Sequence, residues 1–206
     1  MKLMSASFNE WDDPFKLFDS VCYVQKPEEL NHDCCLILWG GEDIGTSIYG
    51  QKPNKYTYLE RASERDLREC ALVSEAVNIG IPIIGICRGA QLLCALAGGT
   101  LAQHVEGHGR SHAVCLHDEG NTWITCNSSH HQMMLPPASA KILATGYEVV
   151  GIDENNQAIK HEHSNEVVYF PSLNALGIQP HPEWASCPKD FVDYCSRKIK
   201  EYLHVK

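Results

Sequence analysis

Cys87 stands in the run Gly85-Ile86-Cys87-Arg88-Gly89, with a glycine two residues to either side. Small residues at those two places let a strand turn sharply into a helix, because a bulkier side chain would meet the backbone folding past it. A thiol at such a turn stands above the sheet edge, where nearby amides and a helix N-terminus favour the thiolate. A second constellation is Gln179-Pro180-His181-Pro182-Glu183. Its prolines forbid a helix and hold the segment extended, so that side chains at i and i+2 share a face. Glu183 can then reach one ring nitrogen of His181 and leave the other for a thiol. Nucleophile, base and orienting carboxylate are the parts of a triad for acyl transfer. The chemistry also needs amides aimed at a developing oxyanion. The Arg88 amide, just past the turn, and one from the Gly40-Gly41 loop are the candidates. Without those partners, Cys87 reads as a buried thiol after a core strand and His181 as part of a surface turn.

The flanking elements suit these positions. Ile81 to Ile86 is a short apolar run of the kind buried on both faces of a sheet, and Ala90 to Ala97 continues with helical spacing until Gly98-Gly99 stops it. Cys34 to Trp39 is a second buried strand, ending at the Gly40-Gly41 pair where open α/β sheets carry binding loops. Strands are also expected at 2–6 and 21–24, with a short helix across Trp11, Phe15 and Phe18. Residues 42–58 read as a long loop. Arg61 to Ala76 reads as a helix with Leu67, Ala71, Val73 and Ala76 inward. This strand–helix alternation implies a parallel sheet with helices on both faces. The second half has short strand candidates at 113–117, 121–126, 142–151, 156–160, 166–169 and 176–178, with 131–137 irregular between them. A closing helix is expected over 188–203, with Phe191, Tyr194, Ile199 and Leu203 inward. The expected fold is α/β: one domain over 1–206, a flavodoxin-like mixed, largely parallel sheet with an antiparallel extension.

At 206 residues and 44% hydrophobic, the chain has enough apolar material for one sizeable core. A formal charge of -9 and the lack of a Lys/Arg patch argue against nucleic acid. No apolar run approaches a membrane span. Ten irregularly placed cysteines, with no signal-like start, read as reduced thiols in a cytoplasmic protein. No C-x-x-C pair marks a zinc site. His104, His108 and His112 are spaced by four, but Gly107 and Gly109 break the helix that would align them, so ordinary hydrogen bonding is expected. His112 is a candidate to close the sheet side of the pocket. No cofactor motif or phosphate loop is present, and neither cofactor nor metal is expected.

Several further stretches bear a resemblance. These are G-G-E-D-I-G-T-S-I-Y-G at 40–50, E-R-D at 64–66, G-I-C-R-G-A-Q-L-L at 85–93, G-G-T-L-A-Q-H at 98–104, C-N-S-S-H-H-Q at 126–132 and G-I-Q-P-H-P-E at 177–183. In this order and spacing the chain resembles class I glutamine amidotransferase domains. Within them it is most similar to the gamma-glutamyl-gamma-aminobutyrate hydrolases, which are peptidase C26-like. The resemblance implies Cys87 as nucleophile, His181 as base and Glu183 as its partner. It further implies Gly41 and Arg88 as oxyanion-hole amide donors, and Gln91 with the Ser129-His130 region as holders of the glutamyl end. Gln91 lies one turn past Cys87 on the same helical face, and the polar loop 127–132 suits an α-amino-acid head. For the Arg88 side chain, a carboxylate clamp and a structural pairing with an acid such as Glu42 or Asp66 are both open. Two departures are visible: less chain precedes the glycine pair than in hydrolases of this branch, and Pro180 replaces the phenylalanine of the usual Gln-Phe-His-Pro-Glu.

The expected activity is hydrolysis of a gamma-glutamyl amide to glutamate and an amine through a thioester on Cys87. The main alternative is a glutaminase subunit that delivers ammonia to a separate synthetase. A thiol-elbow scaffold used for sensing, or a peptidase acting on ordinary peptide bonds, are lesser alternatives. A small-molecule substrate is expected, and a homodimer or a partner synthetase is the association the class allows.

Overall fold

The computed structural model describes residues 1–7, 12–57 and 59–205. In chain order the elements are β1 (Lys2–Ser5), β2 (Ser20–Tyr23), β3 (Cys34–Leu38), α1 (Glu64–Ile79), β4 (Ile83–Ile86) and α2 (Arg88–Leu96). There follow β5 (Thr100–Ala102), β6 (His104–Val105), β7 (His112–Leu116), β8 (Thr122–Cys126), β9 (Met133–Leu135) and β10 (Lys141–Thr145). The chain closes with β11 (Val149–Ile152), β12 (Ala158–His161), β13 (Asn165–Phe170), β14 (Ala175–Ile178) and α3 (Lys189–Leu203).

Nine strands form the main sheet in the order β2-β1-β3-β4-β14-β13-β10-β7-β8. From β2 to β14 the neighbours are parallel, and from β14 to β8 they are antiparallel. The expected single α/β domain is therefore present, with its antiparallel extension. Strand alternation divides the core between the two faces. Cys34, Leu36 and Leu38 of β3 pack with Leu72, Val73 and Leu93 from α1 and α2. Cys35 and Ile37 point the other way, with Phe191, Tyr194 and Ile199 of α3. All ten cysteines are free thiols.

Local signals explain the element ends. Ser63 caps α1, accepting from the Asp66 amide while the Asp66 carboxylate accepts from the Ser63 amide, and Gly80 ends the helix at φ 73°. The four residues expected inward on α3 are all buried.

Several expectations are corrected. Phe15 and Phe18 lie in a turn, not a helix, because the Asp13 carboxylate accepts from the amides of Phe15, Leu17 and Phe18 and replaces helical acceptors. Trp11 lies outside the described residues. On α1, Leu67 and Ala71 face solvent, and the inner face runs through Asp66, Glu69, Leu72, Val73 and Ala76. Residues 142–151 split at Gly146 into β10 and β11, which belong to different sheets. The stretch expected to be irregular contains β9, paired antiparallel with β5, and β12-β11-β6 forms a separate small sheet.

Candidate active site

Three adjacent strands deliver the site. Leu38 of β3 lies opposite Gly85 of β4, and Ile86 of β4 lies opposite Ile178 of β14, all three strands running parallel. Gly40-Gly41, Cys87 and His181 thus leave the same sheet edge side by side, and the Cys87 amide donates to the Ile178 carbonyl at 2.7 Å. Cys87 is the N-cap of α2 with φ 50° and ψ -108°, a conformation side chains rarely adopt. The turn closes because Gly85 and Gly89 touch: a Cβ on Gly85 would lie 2.6 Å from the Gly89 backbone.

His181 is buried, and its Nδ1 lies 2.7 Å from Glu183 Oε1. Burial alone would lower the ring's pKa. Hydrogen bonding and charge from Cys87 and from Glu183 outweigh it and raise the pKa to about 9. Trp184 stacks on the imidazole at 4.0 Å with 14° between the planes. Asn127 holds the backbone: its Nδ2 donates to the His181 carbonyl at 2.8 Å, and its Oδ1 accepts from the His181 amide at 3.0 Å.

The glycine loop is set by a buried ion network. Arg65 Nη2 donates to the carbonyls of Trp39 and Gly40, at 3.0 and 3.1 Å. Peptide planarity then turns the Gly41 N–H away from Arg65. Gly41 itself has φ 145°, and a Cβ there would collide with the Arg65 guanidinium. Arg65 Nε pairs with Glu69 at 2.7 Å, and Arg88 pairs with both Glu69 and Asp66. Of the two acids named for Arg88, Asp66 is the partner; Glu69 takes the other place. Arg88 starts α2, whose first-turn amides have no acceptor within the helix.

The remaining named residues surround this centre. Gln91 is buried, its Nε2 donating to the Gln132 carbonyl at 3.2 Å and to Gln179 Oε1 at 3.3 Å. Ser129 is exposed, while the His130 ring turns inward to the Gln132 carbonyl. His112 faces Glu166. A cavity of about 440 Å³ lined by Gly41, Glu42, Asp43, Ser63, Arg65 and Arg88 opens beside the glycine pair. Sequence reasoning missed Glu69 and Trp184, and it flagged the stretches holding Arg65 and Asn127 without assigning either residue a role. The one available signal was Glu69, an acid one turn from Asp66 on an otherwise apolar helical face.

A second thiol–imidazole contact exists, Cys126 Sγ to His112 Nε2 at 3.6 Å. It differs from the first. Burial pushes the Cys126 thiol well above its ordinary range, and the same His112 nitrogen faces Glu166 at 3.2 Å. Cys87 has the turn, the helix start and an imidazole bound to its own carboxylate.

The Peptidase C26 family model matches residues 30–183. The chain belongs to the Peptidase C26 family. It has the class I glutamine amidotransferase-like fold, and a cysteine and a histidine stand side by side at its sheet edge. Among its relatives is protein NtpR of Enterococcus hirae, 30% identical over 170 residues, covering 72% of this chain and 66% of that protein. The glutamine amidotransferase-like protein YvdE of Lactococcus lactis is 38% identical over 174 residues, covering 78% of this chain and 72% of YvdE. A Mycobacterium tuberculosis relative matches over 70 residues, only 22% of its length. The chain thus spans under two thirds of some of the relatives it matches. Two solved structures share the fold: a glutamine amidotransferase of Thermotoga maritima (TM-score 0.55, 16% identity, covering 97% of this chain and 84% of that one) and PurLQS of the same organism (TM-score 0.58, 15% identity, 98% and 97%). Among the described residues, no helix is long and apolar enough to cross a membrane.

Proposed function

We propose that this enzyme hydrolyses a gamma-glutamyl amide through a gamma-glutamyl thioester on Cys87. The observation that carries the proposal is that the His181 ring and the Cys87 side chain both crowd the same point above Gly40, with the ring's Nδ1 bound to Glu183. With the imidazole protonated at neutral pH, His181 can hold the thiol's proton while the sulfur attacks. The Cys87 thiolate adds to the side-chain carbonyl carbon of the glutamyl group. The amides of Gly41 and Arg88 receive the oxyanion. His181 then donates its proton to the nitrogen, the C–N bond breaks, and the amine leaves. Water attacks the thioester as His181 takes its proton, the C–S bond breaks, and glutamate leaves with the thiolate restored.

On the binding side, the exposed Ser129 meets the α-amino-acid head, while Gln91 and His130 fix the 129–132 segment that presents it. The glutamyl compound is a small molecule, and ten free thiols suit a reducing compartment such as the cytoplasm.

A second reading is a glutaminase subunit that hands ammonia to a partner synthetase. It is favoured by Pro180 in place of the usual phenylalanine and by the shared fold with PurLQS. The test offers the purified protein glutamine beside a panel of gamma-glutamyl amides and follows glutamate release. Rapid release from one amide, with glutamine poor, supports the hydrolase and names its amine. Glutamine cleavage that appears only when a second protein is added would replace it with the subunit.

A further inference from the structure

Away from the thiol, three histidines converge on one buried carboxylate. Glu166 of β13 is wholly inaccessible. Its Oε1 lies 3.2 Å from His112 Nε2 and 3.6 Å from His108 Nε2, and it accepts from Ser164 Oγ at 2.5 Å. Its Oε2 is buried without a partner, and so is Nε2 of His130. One ligand atom each from His108, His130 and Glu166 lie within 4.8 Å of one another, and so do those of His112, Cys126 and Glu166.

The backbone and the carboxylate decide how these rings are protonated. Nδ1 of His130 lies 2.8 Å from the Gln132 carbonyl, Nδ1 of His108 3.3 Å from that of Glu106, and Nδ1 of His112 3.5 Å from that of Arg110. A carbonyl only accepts, so the His130 proton belongs on Nδ1, and its buried Nε2 presents a lone pair toward the Glu166 group. His108 and His112 each have a carbonyl at Nδ1 and the carboxylate at Nε2, and the closer carboxylate draws the His112 proton to Nε2. A lone pair left facing a carboxylate is repelled unless a cation lies between them. The proton on His112 answers part of this repulsion but leaves His130 Nε2 and Glu166 Oε2 unsatisfied. Histidines that give Nδ1–H to a carbonyl and Nε2 to a shared centre are the usual outer support of a metal site.

We propose that His108, His130 and Glu166 bind one divalent transition-metal ion of the zinc class, with solvent as the fourth ligand. Bonds of about 2.0–2.1 Å in a tetrahedron put neighbouring ligand atoms about 3.4 Å apart, in keeping with the 3.6 Å between His108 Nε2 and Glu166 Oε1. Imidazole nitrogens with a carboxylate select zinc-like ions over magnesium or calcium, and Cys126 Sγ stands by at 3.6 Å from His112 Nε2. A cleft of about 310 Å³ lined by Glu106, Gly107, His108, His112 and Tyr147 gives an ion its way in.

The ion's role is to brace the frame behind the thiol site. Ser128 Oγ donates to the His108 carbonyl at 2.6 Å, Asn127 beside it holds the His181 backbone, and the Gln179 amide donates to the Glu166 carbonyl at 2.8 Å. Metal binding would therefore clamp the 106–112 and 126–132 segments onto β13 without touching Cys87.

The test is binding, not turnover. Chelator-treated full-length protein is titrated with Co²⁺, followed by its visible absorption, and then with Zn²⁺ against a chromophoric chelator. One equivalent of each, with the intense Co²⁺ spectrum of four-coordination, is expected. His130→Ala and Glu166→Gln should each weaken Zn²⁺ binding about a hundredfold or more. Cys87→Ser and His104→Ala should leave it unchanged, and Zn²⁺ should raise the Tm of the wild type but not of His130→Ala. Circular dichroism checks each variant's fold; if Glu166→Gln fails to fold, His130→Ala on the half-buried loop decides. Undiminished Zn²⁺ binding in folded His130→Ala, loss of binding in Cys87→Ser, or no binding by the wild type would each overturn the proposal.

Discussion

His181 has to keep a proton while buried, and its neighbours decide that it does. Glu183 and Cys87 together outweigh desolvation and raise its pKa to about 9, above the usual value near 6.5. The stabilisation that follows is fully present below pH 6.5 and is lost as pH rises through about 9, on the order of 3 kcal/mol. Urea unfolding between pH 6 and 10 should show that loss in the wild type and a flatter profile in His181→Asn. In the same range kcat/KM should fall above pH 9, as the acid for the leaving amine disappears. Trp184 lies flat on the ring and favours its cationic form by about 0.5–1 kcal/mol. Trp184→Ala should therefore move that alkaline limb to lower pH by roughly half a unit. An unmoved limb would show that the indole only covers the histidine.

At the scale of elements, α1 does two jobs through one buried network. Glu69 and Asp66 neutralise Arg88, and Arg65 reaches from the same helix to hold the glycine loop. Removing one partner of a buried ion pair strands the other, so Glu69→Gln should cost about 3–5 kcal/mol in denaturant unfolding. Arg65 is partly exposed, so Arg65→Ala should cost less stability than Glu69→Gln, about 1–3 kcal/mol, while kcat falls about 10²–10³-fold, the cost of misplacing an oxyanion donor. The same network shows why the sequence was misread at this helix. Counting apolar residues turned Leu67 and Ala71 inward, whereas the true inner face contains two carboxylates whose burial depends on an arginine twenty residues away. The thiol turn was legible because its requirements are local: Gly85, Gly89 and an apolar strand. The Glu183–His181 pairing was legible too, since two prolines fix the backbone between them.

Across the whole molecule, the site exists because β3, β4 and β14 are neighbours, and no local spacing announces that Ile86 will lie beside Ile178. The separate small sheets and the β5–β9 pair were hidden for the same reason: their partners are distant in sequence and their strands are three or four residues long or shorter. The fold also sorts the thiols. Cys35, Cys94 and Cys195 are buried, and burial raises the pKa of each, that of Cys94 to about 12. Alkylation of the native protein at pH 7, mapped by mass spectrometry, should label Cys87 first and leave these three until unfolding. The central claim is that Cys87 carries the glutamyl group, and the most direct measurement looks for it there. The protein is mixed with gamma-glutamyl-p-nitroanilide, quenched in acid within the first turnovers, digested and analysed by mass. The account predicts a hydroxylamine-sensitive glutamyl adduct on the peptide bearing Cys87, and neither adduct nor glutamate release from Cys87→Ala. An adduct on Cys126, or glutamate released at the full rate by Cys87→Ala, would contradict it.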